Sequence, residues 1–187
     1  MQSFLIILDK FYLKKIINNA IILLVKTYYK LKDVIMTIKK AKLNDFENIK
    51  YIVETTINTV YPKYYPSGAV DFFLKHHSDE NIKMSIEADE VYLFYDNNTI
   101  IGTGTINRND IDRLFILPEF QGKGYGTKAL DYIENEIFNK YEDVVLSASF
   151  PAFEMYRKRG YVTFEYNKLL TDNGDYLCFF NMRLKKS

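Results

Sequence analysis

A glycine-rich turn at residues 121–127 constrains the fold of this chain more than any other feature. Its sequence is Gln-Gly-Lys-Gly-Tyr-Gly-Thr, and it lies between an apolar run at 114–118, typical of a strand, and a helical pattern at 128–134. The first turn of a helix has backbone N–H groups without internal partners and carries partial positive charge. Glycines let that backbone approach a phosphate without an intervening Cβ atom. The turn alone leaves two interpretations, a pyrophosphate site or a glycine-rich turn without a ligand.

Two well-known phosphate-binding patterns do not fit this turn. The Rossmann pattern G-x-G-x-x-G requires a third glycine where this chain has Thr127. The Walker A pattern requires a glycine five residues before its Gly-Lys pair, and that position holds Leu117. A pyrophosphate site of another kind is therefore the interpretation that the sequence favours.

With its surroundings, the turn resembles the acetyl-CoA loop of the GNAT N-acetyltransferase superfamily. The resemblance rests on the spacing Q-x-x-G-x-G after a strand that ends in Pro118. It implies that the turn binds the pyrophosphate of acetyl-CoA, that the strand before it pairs with the pantetheine arm, and that a backbone N–H near 115–116 polarises the thioester carbonyl. The residues that it assigns to acetyl-CoA are Leu114, Phe115, Ile116, Gln121, Gly122, Lys123, Gly124, Tyr125, Gly126, Thr127 and Ser149.

A second block at residues 149–161 resembles a later motif of the same family. An alanine, a tyrosine four residues on, and a Gly-Tyr pair after three further residues recur at Ala152, Tyr156, Gly160 and Tyr161. The resemblance assigns Tyr156 as the general acid, because a phenol with a pKa near 10 is neutral at pH 7 and can protonate a departing thiolate. The alternative is that Tyr156 only packs a short helix. Ser149 departs from the pattern, since many members have asparagine there, and its hydroxyl can replace that contact only in part.

Asp110 is the candidate general base. An alkylamine has a pKa near 10.4 and must lose a proton before or during its attack on the thioester. Related sequences often carry a glutamate at the start of the cofactor strand, where this chain has Asp110, and Asp112 shares the same strand face. A solvated strand end, a salt bridge with Arg108 or Arg113, and a base that acts through a water relay are the alternatives.

The loop at residues 61–68 falls where the resembling family builds its acceptor pocket. Tyr61, Tyr64 and Tyr65 are therefore the candidate substrate-binding residues, although an aromatic hinge would have the same composition. The resemblance implies direct acetyl transfer to a primary amine of a small molecule or peptide. A polyamine, an aminoglycoside, an amino acid and a protein amine all remain open as acceptors. A catalytically silent acyl-CoA-binding sensor or scaffold is the rival interpretation.

Composition restricts the remaining possibilities. A formal charge of +1 gives no case for nucleic acid binding, and 48% hydrophobic with 26% charged residues suits a globular domain. The single cysteine, Cys178, lies in an apolar strand pattern and is expected to be a buried structural thiol in a cytoplasmic protein. His76 and His77 are adjacent at a helix end, so we expect that they do not share a ligand, and no metal site is predicted.

Residues 1–35 differ from the rest of the chain, with six lysines, two aspartates and an apolar stripe at helical spacing over 4–35. Their longest uncharged run, 16–25, is too short to span a membrane. They are expected to form a helix, for which three interpretations remain. The helix packs on its own domain or on a second copy in a homodimer, or it lies on a membrane surface. In the third interpretation it is a translated upstream extension, and Met36 is the natural start of the protein. The membrane alternative is the least favoured.

From residue 36 onward, strand and helix patterns alternate. We expect strands near 37–41, 90–95, 99–106, 110–117, 143–149, 161–169 and 176–184, with helices near 44–60, 68–76, 79–87, 125–140 and 151–159. This order predicts an α/β (α+β) fold, in which helices flank a mixed, mostly antiparallel central sheet. The predicted acetyltransferase-like domain is 36–187, preceded by the helical extension 1–35.

Overall fold

The computed structural model describes residues 36–186, and the helical prediction for residues 4–35 lies outside this range. A seven-stranded sheet forms the centre of the described part, in the order β1-β2-β3-β4-β5-β7-β6. Only β4 and β5 pair in parallel, which confirms the predicted mixed, mostly antiparallel sheet. The strands are Met36–Lys40 (β1), Val91–Asp96 (β2), Thr99–Asn107 (β3), Asp110–Ile116 (β4), Asp143–Ala148 (β5), Val162–Leu170 (β6) and Tyr176–Lys185 (β7).

Within residues 36–186, five α-helices accompany the sheet: Phe46–Val60 (α1), Ser67–His76 (α2), Asp79–Glu87 (α3), Tyr125–Phe138 (α4) and Phe150–Lys158 (α5). The inner side of α1 repeats apolar residues every three or four positions, and Ile49, Val53 and Ile57 are fully buried against the sheet. Because alternate residues of a strand face opposite sides, β3 shows where the helices lie. A Cβ atom at Gly104 would lie 2.6 Å from Ile133 of α4, whereas Thr105 bonds a side chain beneath α3. Helices α3 and α4 therefore cover opposite faces.

The two parallel strands, β4 and β5, diverge after two residue pairs. Strands β4 and β5 are paired only at Asp110 with Val145 and at Ile111 with Leu146. From residue 112 onward, the β5 side of β4 has no strand partner among residues 36–186, while its other side stays paired with β3. A β-bulge interrupts the β3–β4 ladder here, and its residue Arg113 has a φ of +53°. The divergence produces a cleft between the two central strands.

The element boundaries lie within two residues of those predicted, because turn residues and apolar periodicity fix most of them locally. One expectation was wrong: Cys178 is half-buried in β7 and not fully buried. Within residues 36–186, no helix combines the length and apolar character that crossing a bilayer requires.

Candidate active site

A cavity of about 670 Å³ fills the cleft between β4 and β5. Its wall follows β4 from Asp110 and Asp112, through Leu114–Ile116, to Gln121 and Gly122 in the glycine-rich turn. Ser147, Ser149 and Tyr156 form the opposite side, and the loop after α1 covers one end. One cavity is therefore lined by the predicted base Asp110, the predicted acid Tyr156, the strand segment Leu114–Ile116 and the glycine-rich turn.

The glycine-rich turn presents bare backbone. Gly122 and Gly124 have φ values of +72° and +92°, and a Cβ atom at either position would meet nothing within 4 Å. Gly124 caps α4 without a side-chain hydrogen bond, and the first turn of that helix has no acidic residue. The first helical bond runs from the Lys128 amide to the Gly124 carbonyl, so the amides of residues 125–127 precede it. Open space and unpaired donors at a helix start suit an anion.

Side chains of the turn hold it in place. The Gln121 Nε2 amide donates a 2.8 Å hydrogen bond to the Ile116 carbonyl, which ties the turn to the end of β4. The Lys123 ammonium lies 5.2 Å from the centroid of the Phe120 ring. The Tyr125 side chain is buried, and the interaction of its hydroxyl with a carboxylate raises its pKa to about 12. The turn reaches the cavity through Gln121, Gly122 and Gly126. The other predicted cofactor residues of the turn lie outside the lining: Lys123, Gly124, Tyr125 and Thr127.

Arg113 is a buried cation whose role the sequence did not reveal. Its side chain is 4% exposed, and its guanidinium donates to His77 Nδ1 at 3.2 Å, Ser85 Oγ at 3.2 Å and Thr105 Oγ1 at 3.4 Å. It also pairs with Asp112 at 3.4 Å. Burial lowers the pKa of this guanidinium. One side chain thus joins the β4 bulge to β3, α3 and the end of α2.

His77 is buried beside Arg113 and caps the C-terminus of α2. Burial, opposed by Asp112 and reinforced by Arg113 and His76, lowers its pKa to about 3, so the ring is neutral. Because Nδ1 accepts the Arg113 hydrogen bond, the proton lies on Nε2. Ligand-capable atoms of His76, His77 and Asp112 lie within 4.8 Å of one another, so adjacency in the chain does not by itself keep the two histidines from sharing a ligand. The occupied Nδ1 lone pair and the adjacent guanidinium disfavour a metal ion there.

The Tyr156 phenol faces the cavity from α5. The residue is 6% exposed and packs edge-on against Tyr161, with ring centroids 5.3 Å apart. No hydrogen bond joins its hydroxyl to any other residue of 36–186. Burial raises the pKa of Tyr156 above its usual value, and Tyr61, Glu134 and Asp112 add to this effect. The phenol therefore keeps its proton at neutral pH.

The three candidate acceptor tyrosines divide into two groups. Tyr61 and Tyr64 line the cavity. The Tyr61 hydroxyl shares a 3.2 Å hydrogen bond with Ser149 Oγ, and burial raises the Tyr61 pKa to about 12. Tyr65 lies outside the lining, because its hydroxyl donates to the Cys178 carbonyl and accepts from the Phe150 amide at 2.7 Å. Tyr65 therefore fastens the loop after α1 to β7 and α5.

Two carboxylates lie at the end of the cavity away from the turn. In the β3–β4 ladder, Asp110 is opposite Asn107 and Asp112 is opposite Thr105. Asp110 is an exposed residue, but its carboxyl loses hydration at the cavity wall, and this loss together with the charge of Asp112 raises its pKa to about 6. Of the salt bridges considered for Asp110 and Asp112, the structure has the one between Asp112 and Arg113.

A mixed sheet that opens beside a glycine-rich turn, with a protonated phenol in the opening, is the architecture of an acyltransferase with a phosphate-bearing acyl donor. A family model described as the acetyltransferase (GNAT) domain matches residues 60–186, and the chain belongs to this family. Membership confirms the predicted family and enzyme class and makes acetyl-CoA the acetyl donor. No curated protein sequence matches the chain.

Solved structures share the fold at low sequence identity. A GCN5-related N-acetyltransferase from Rhodopseudomonas palustris superposes with a TM-score of 0.72 at 19% identity, covering 80% of this chain and 95% of its own. PaiA N-acetyltransferase from Thermoplasma acidophilum, in complex with coenzyme A, has a TM-score of 0.63 at 20% identity, covering 81% and 99%. YncA from Salmonella typhimurium, with acetyl-CoA, has a TM-score of 0.62 at 17% identity, covering 81% and 94%.

Proposed function

We propose that this acetyltransferase moves the acetyl group of acetyl-CoA directly to a primary amine of a small molecule or peptide. The observation that carries the proposal is the Tyr156 hydroxyl. The residue is 6% exposed, and its protonated hydroxyl opens into the same cavity as the glycine-rich turn without a hydrogen-bond partner among residues 36–186. A donor that faces a cavity and has no protein partner is available to a bound ligand.

The residues present fit acetyl-CoA. Amides from residues 122–127 bind the diphosphate, because the space before Gly122 and Gly124 is open and the start of α4 has donors to offer. The Gln121 amide takes no part, since it donates to the Pro118 carbonyl at 3.2 Å. Leu114–Ile116 bind the pantetheine arm through the side of β4 that β5 leaves unpaired. Ser149 faces the arm from the opposite wall, with its hydroxyl oriented by Tyr61.

The bound donor supplies an activated thioester and a thiol leaving group. A backbone N–H of Phe115 or Ile116 donates to the carbonyl oxygen, where negative charge develops, and such a donor lowers the barrier by about 3 kcal/mol. As the nitrogen–carbon bond forms and the carbon–sulfur bond breaks, the Tyr156 hydroxyl gives its proton to sulfur. Cys178 makes no covalent intermediate in this scheme, because it lies in β7 outside the cavity lining.

Asp110 takes the proton of the attacking amine, directly or through water. Its pKa of about 6 makes it a stronger base than an ordinary aspartate, and it is still ionised at pH 7 and above. Asp112 lies between this carboxylate and the bulge, and its charge reaches the phenols of Tyr61 and Tyr156. Tyr61 and Tyr64 supply aromatic walls for the acceptor, and Tyr65 keeps their loop in place.

The test follows free thiol while the purified protein is incubated with acetyl-CoA and a panel of amines. The proposal predicts thiol release above the rate with acetyl-CoA alone, together with an acetylated amine of the expected mass. Acetyl-CoA binding without thiol release for any amine would instead support a silent acyl-CoA-binding module. The Tyr156→Phe variant in the same assay separates enzymatic transfer from the slow spontaneous reaction of thioesters with amines.

We also propose that residues 36–187 form the acetyltransferase domain, that residues 1–35 are an appended segment, and that the enzyme works in the cytoplasm. The family match begins at residue 60, well after the appended segment. The chain without residues 1–35 is expected to keep its acetyltransferase activity and its mass in solution. Loss of activity, or a change from dimer to monomer, would assign that segment to the working enzyme.

A further inference from the structure

We infer that the acceptor is an aliphatic di- or polyamine, a choice that rests on the proposed transfer to an amine. Its second ammonium group would bind the acidic end of the cavity, which we define as Glu90, Asp110 and Asp112. Four features of the described residues carry this inference: the charge balance, the spacing of the carboxylates, an apolar wall, and a buried hydroxyl without a partner.

The acidic end has more negative charge than the protein neutralises. Three carboxylates line the cavity there, and Arg113 is the cation among them. His77 adds no charge, because it is neutral and its Nδ1 accepts from Arg113. With the three carboxylates ionised, the acidic end therefore has two negative charges more than Arg113 neutralises. One ammonium group of a ligand would balance one of these charges, and a second ammonium group would balance the other.

Arg113 is not free to serve a substrate, and it does not saturate Asp112. Its guanidinium donates to His77, Ser85 and Thr105. Its 3.4 Å separation from Asp112 Oδ2 is longer than a charge-assisted hydrogen bond, which is about 2.8 Å. The Asp112 side chain is 38% exposed. A carboxylate in this position can take an ammonium group from the cavity.

The carboxylates are spaced for a flexible aliphatic chain. Asp110 and Asp112 are two residues apart on one face of β4, which places them about 7 Å from each other. Two ammonium groups joined by about four or five methylenes span a similar length. The methylenes have an apolar surface to pack against, because the Tyr61 ring lies 4.6 Å from Phe73 and 6.3 Å from Phe115, centroid to centroid.

Thr56 is the independent sign of a ligand. It is 3% exposed, lines the same cavity, and its Oγ1 has no hydrogen-bond partner in the described part of the chain. Buried polar atoms are nearly always paired in folded proteins. An ammonium or amine N–H is a donor that would satisfy this hydroxyl oxygen. The same acidic end would repel the carboxylate of a free amino acid.

The experiment compares kcat/KM for 1,4-diaminobutane and 1-aminobutane, which differ only in the second amine. We expect a preference of about tenfold or more for the diamine, with an optimum at four or five carbons in a diamine series. Lysine and a lysine-containing peptide amide are the competing acceptors. Equal values for the two amines, or a clear preference for the peptide, would overturn the inference.

Variants assign the preference to the acidic end. Asp112→Asn and, separately, Glu90→Gln are expected to raise KM for the diamine and reduce the preference by about tenfold. Asp172→Asn, which removes an exposed carboxylate outside the cavity lining, should leave the preference unchanged. Tyr156→Phe should slow both amines and keep their ratio. An unchanged ratio in both acidic-end variants, each melting like wild type, would contradict the assignment.

A binding measurement separates this inference from the proposed function. Titration calorimetry of 1,4-diaminobutane into the protein with coenzyme A should show saturable binding that Asp112→Asn weakens. Failure to bind acetyl-CoA, or to acetylate any amine, would reject the proposed function. Transfer to both amines without a preference, and without calorimetric binding of the diamine, would reject only the choice of acceptor.

Discussion

The Arg113 guanidinium donates its Nε hydrogen to Nδ1 of His77 across 3.2 Å, and this bond joins the β4 bulge to the end of α2. The contact fixes the histidine as a neutral tautomer and leaves its Nε2 hydrogen as a donor. It also keeps a non-glycine residue at a φ of +53°, a conformation that costs about 1 kcal/mol or more unless its surroundings compensate. The acidic end of the cavity is therefore built around a buried cation.

Replacement of Arg113 by lysine should destabilise the fold. A lysine cannot reproduce the planar fork, so His77, Ser85 and Thr105 lose donors in a buried setting. We expect a loss of about 3 kcal/mol in the free energy of unfolding, measured by urea denaturation. Arg108→Lys is the matched control, because Arg108 also has a positive φ, +59°, but is exposed. Equal stability of the two variants would show that the Arg113 contacts contribute little.

Tyr156→Phe should lower turnover by about 100-fold, because a positioned general acid contributes on that scale. Acetyl-CoA affinity should stay within about twofold of wild type, since the phenyl ring keeps its packing against Tyr161. Tyr166→Phe, an exposed tyrosine of β6, serves as the control and should retain full turnover. Wild-type turnover by the Tyr156 variant would remove this residue from the role of acid.

Gly124→Val should abolish acetyl-CoA binding, because its side chain would project into the open space before the turn. Gly174→Val is an unusually close control: its φ is +88°, and a Cβ atom there also meets nothing within 4 Å. Both variants should lose about 1 kcal/mol of stability or more through the positive φ. Only the first should lose affinity in a calorimetric titration. Equal affinity for acetyl-CoA in both variants would contradict the placement of the diphosphate.

The raised pKa of Asp110 predicts opposite effects of pH on activity and stability. Activity should rise with pH as this carboxyl ionises near pH 6, and Asp110→Asn should lack that rise. Because the folded-state pKa exceeds the unfolded value of about 3.8, folding binds a proton between the two. The stability that Asp110 contributes is therefore present below the lower value and is lost as pH increases through about 6.

Asp110→Asn should consequently gain stability relative to wild type between pH 4 and pH 8, by about 1 kcal/mol after solvent screening. Thermal melts of the two proteins at both pH values measure this difference, with Asp172→Asn as the control for an exposed carboxylate. A difference of the opposite sign would mean that the folded state favours the ionised carboxylate of Asp110.

Local signals account for the parts of the molecule that the sequence predicted. The strand before the turn, the start of α4 at Tyr125 and the hairpin around Asn97 each depend on a few neighbouring residues. The resemblance of two short blocks to one family then singled out Tyr156 and Asp110. Tyr156 lies in α5 and Asp110 lies in β4, and the packing of these elements brings both residues to one cavity. Periodicity alone could not have paired them.

The remainder depends on tertiary contacts that no local pattern encodes. Positive φ at Arg113 has no sequence signature, because arginine rarely adopts it. The burial of His77 results from that same residue reaching across from β4. Tyr61 and Tyr65 are tyrosines of the same short loop, and the sequence does not distinguish their roles. Tyr61 faces the cavity, whereas the Tyr65 hydroxyl is hydrogen-bonded to β7 and α5. The irregular loop after α1 decides this difference, and its conformation is set by its partners.

A crystal structure of the protein with coenzyme A would locate the diphosphate and the thiol in one measurement. We expect diphosphate oxygens about 3 Å from backbone nitrogens of the turn at 122–127, with the pantetheine arm along Leu114–Ile116 and its sulfur beside the Tyr156 hydroxyl. A diphosphate bound elsewhere on the protein, or a thiol remote from Tyr156, would contradict the assignment of both the donor site and the acid.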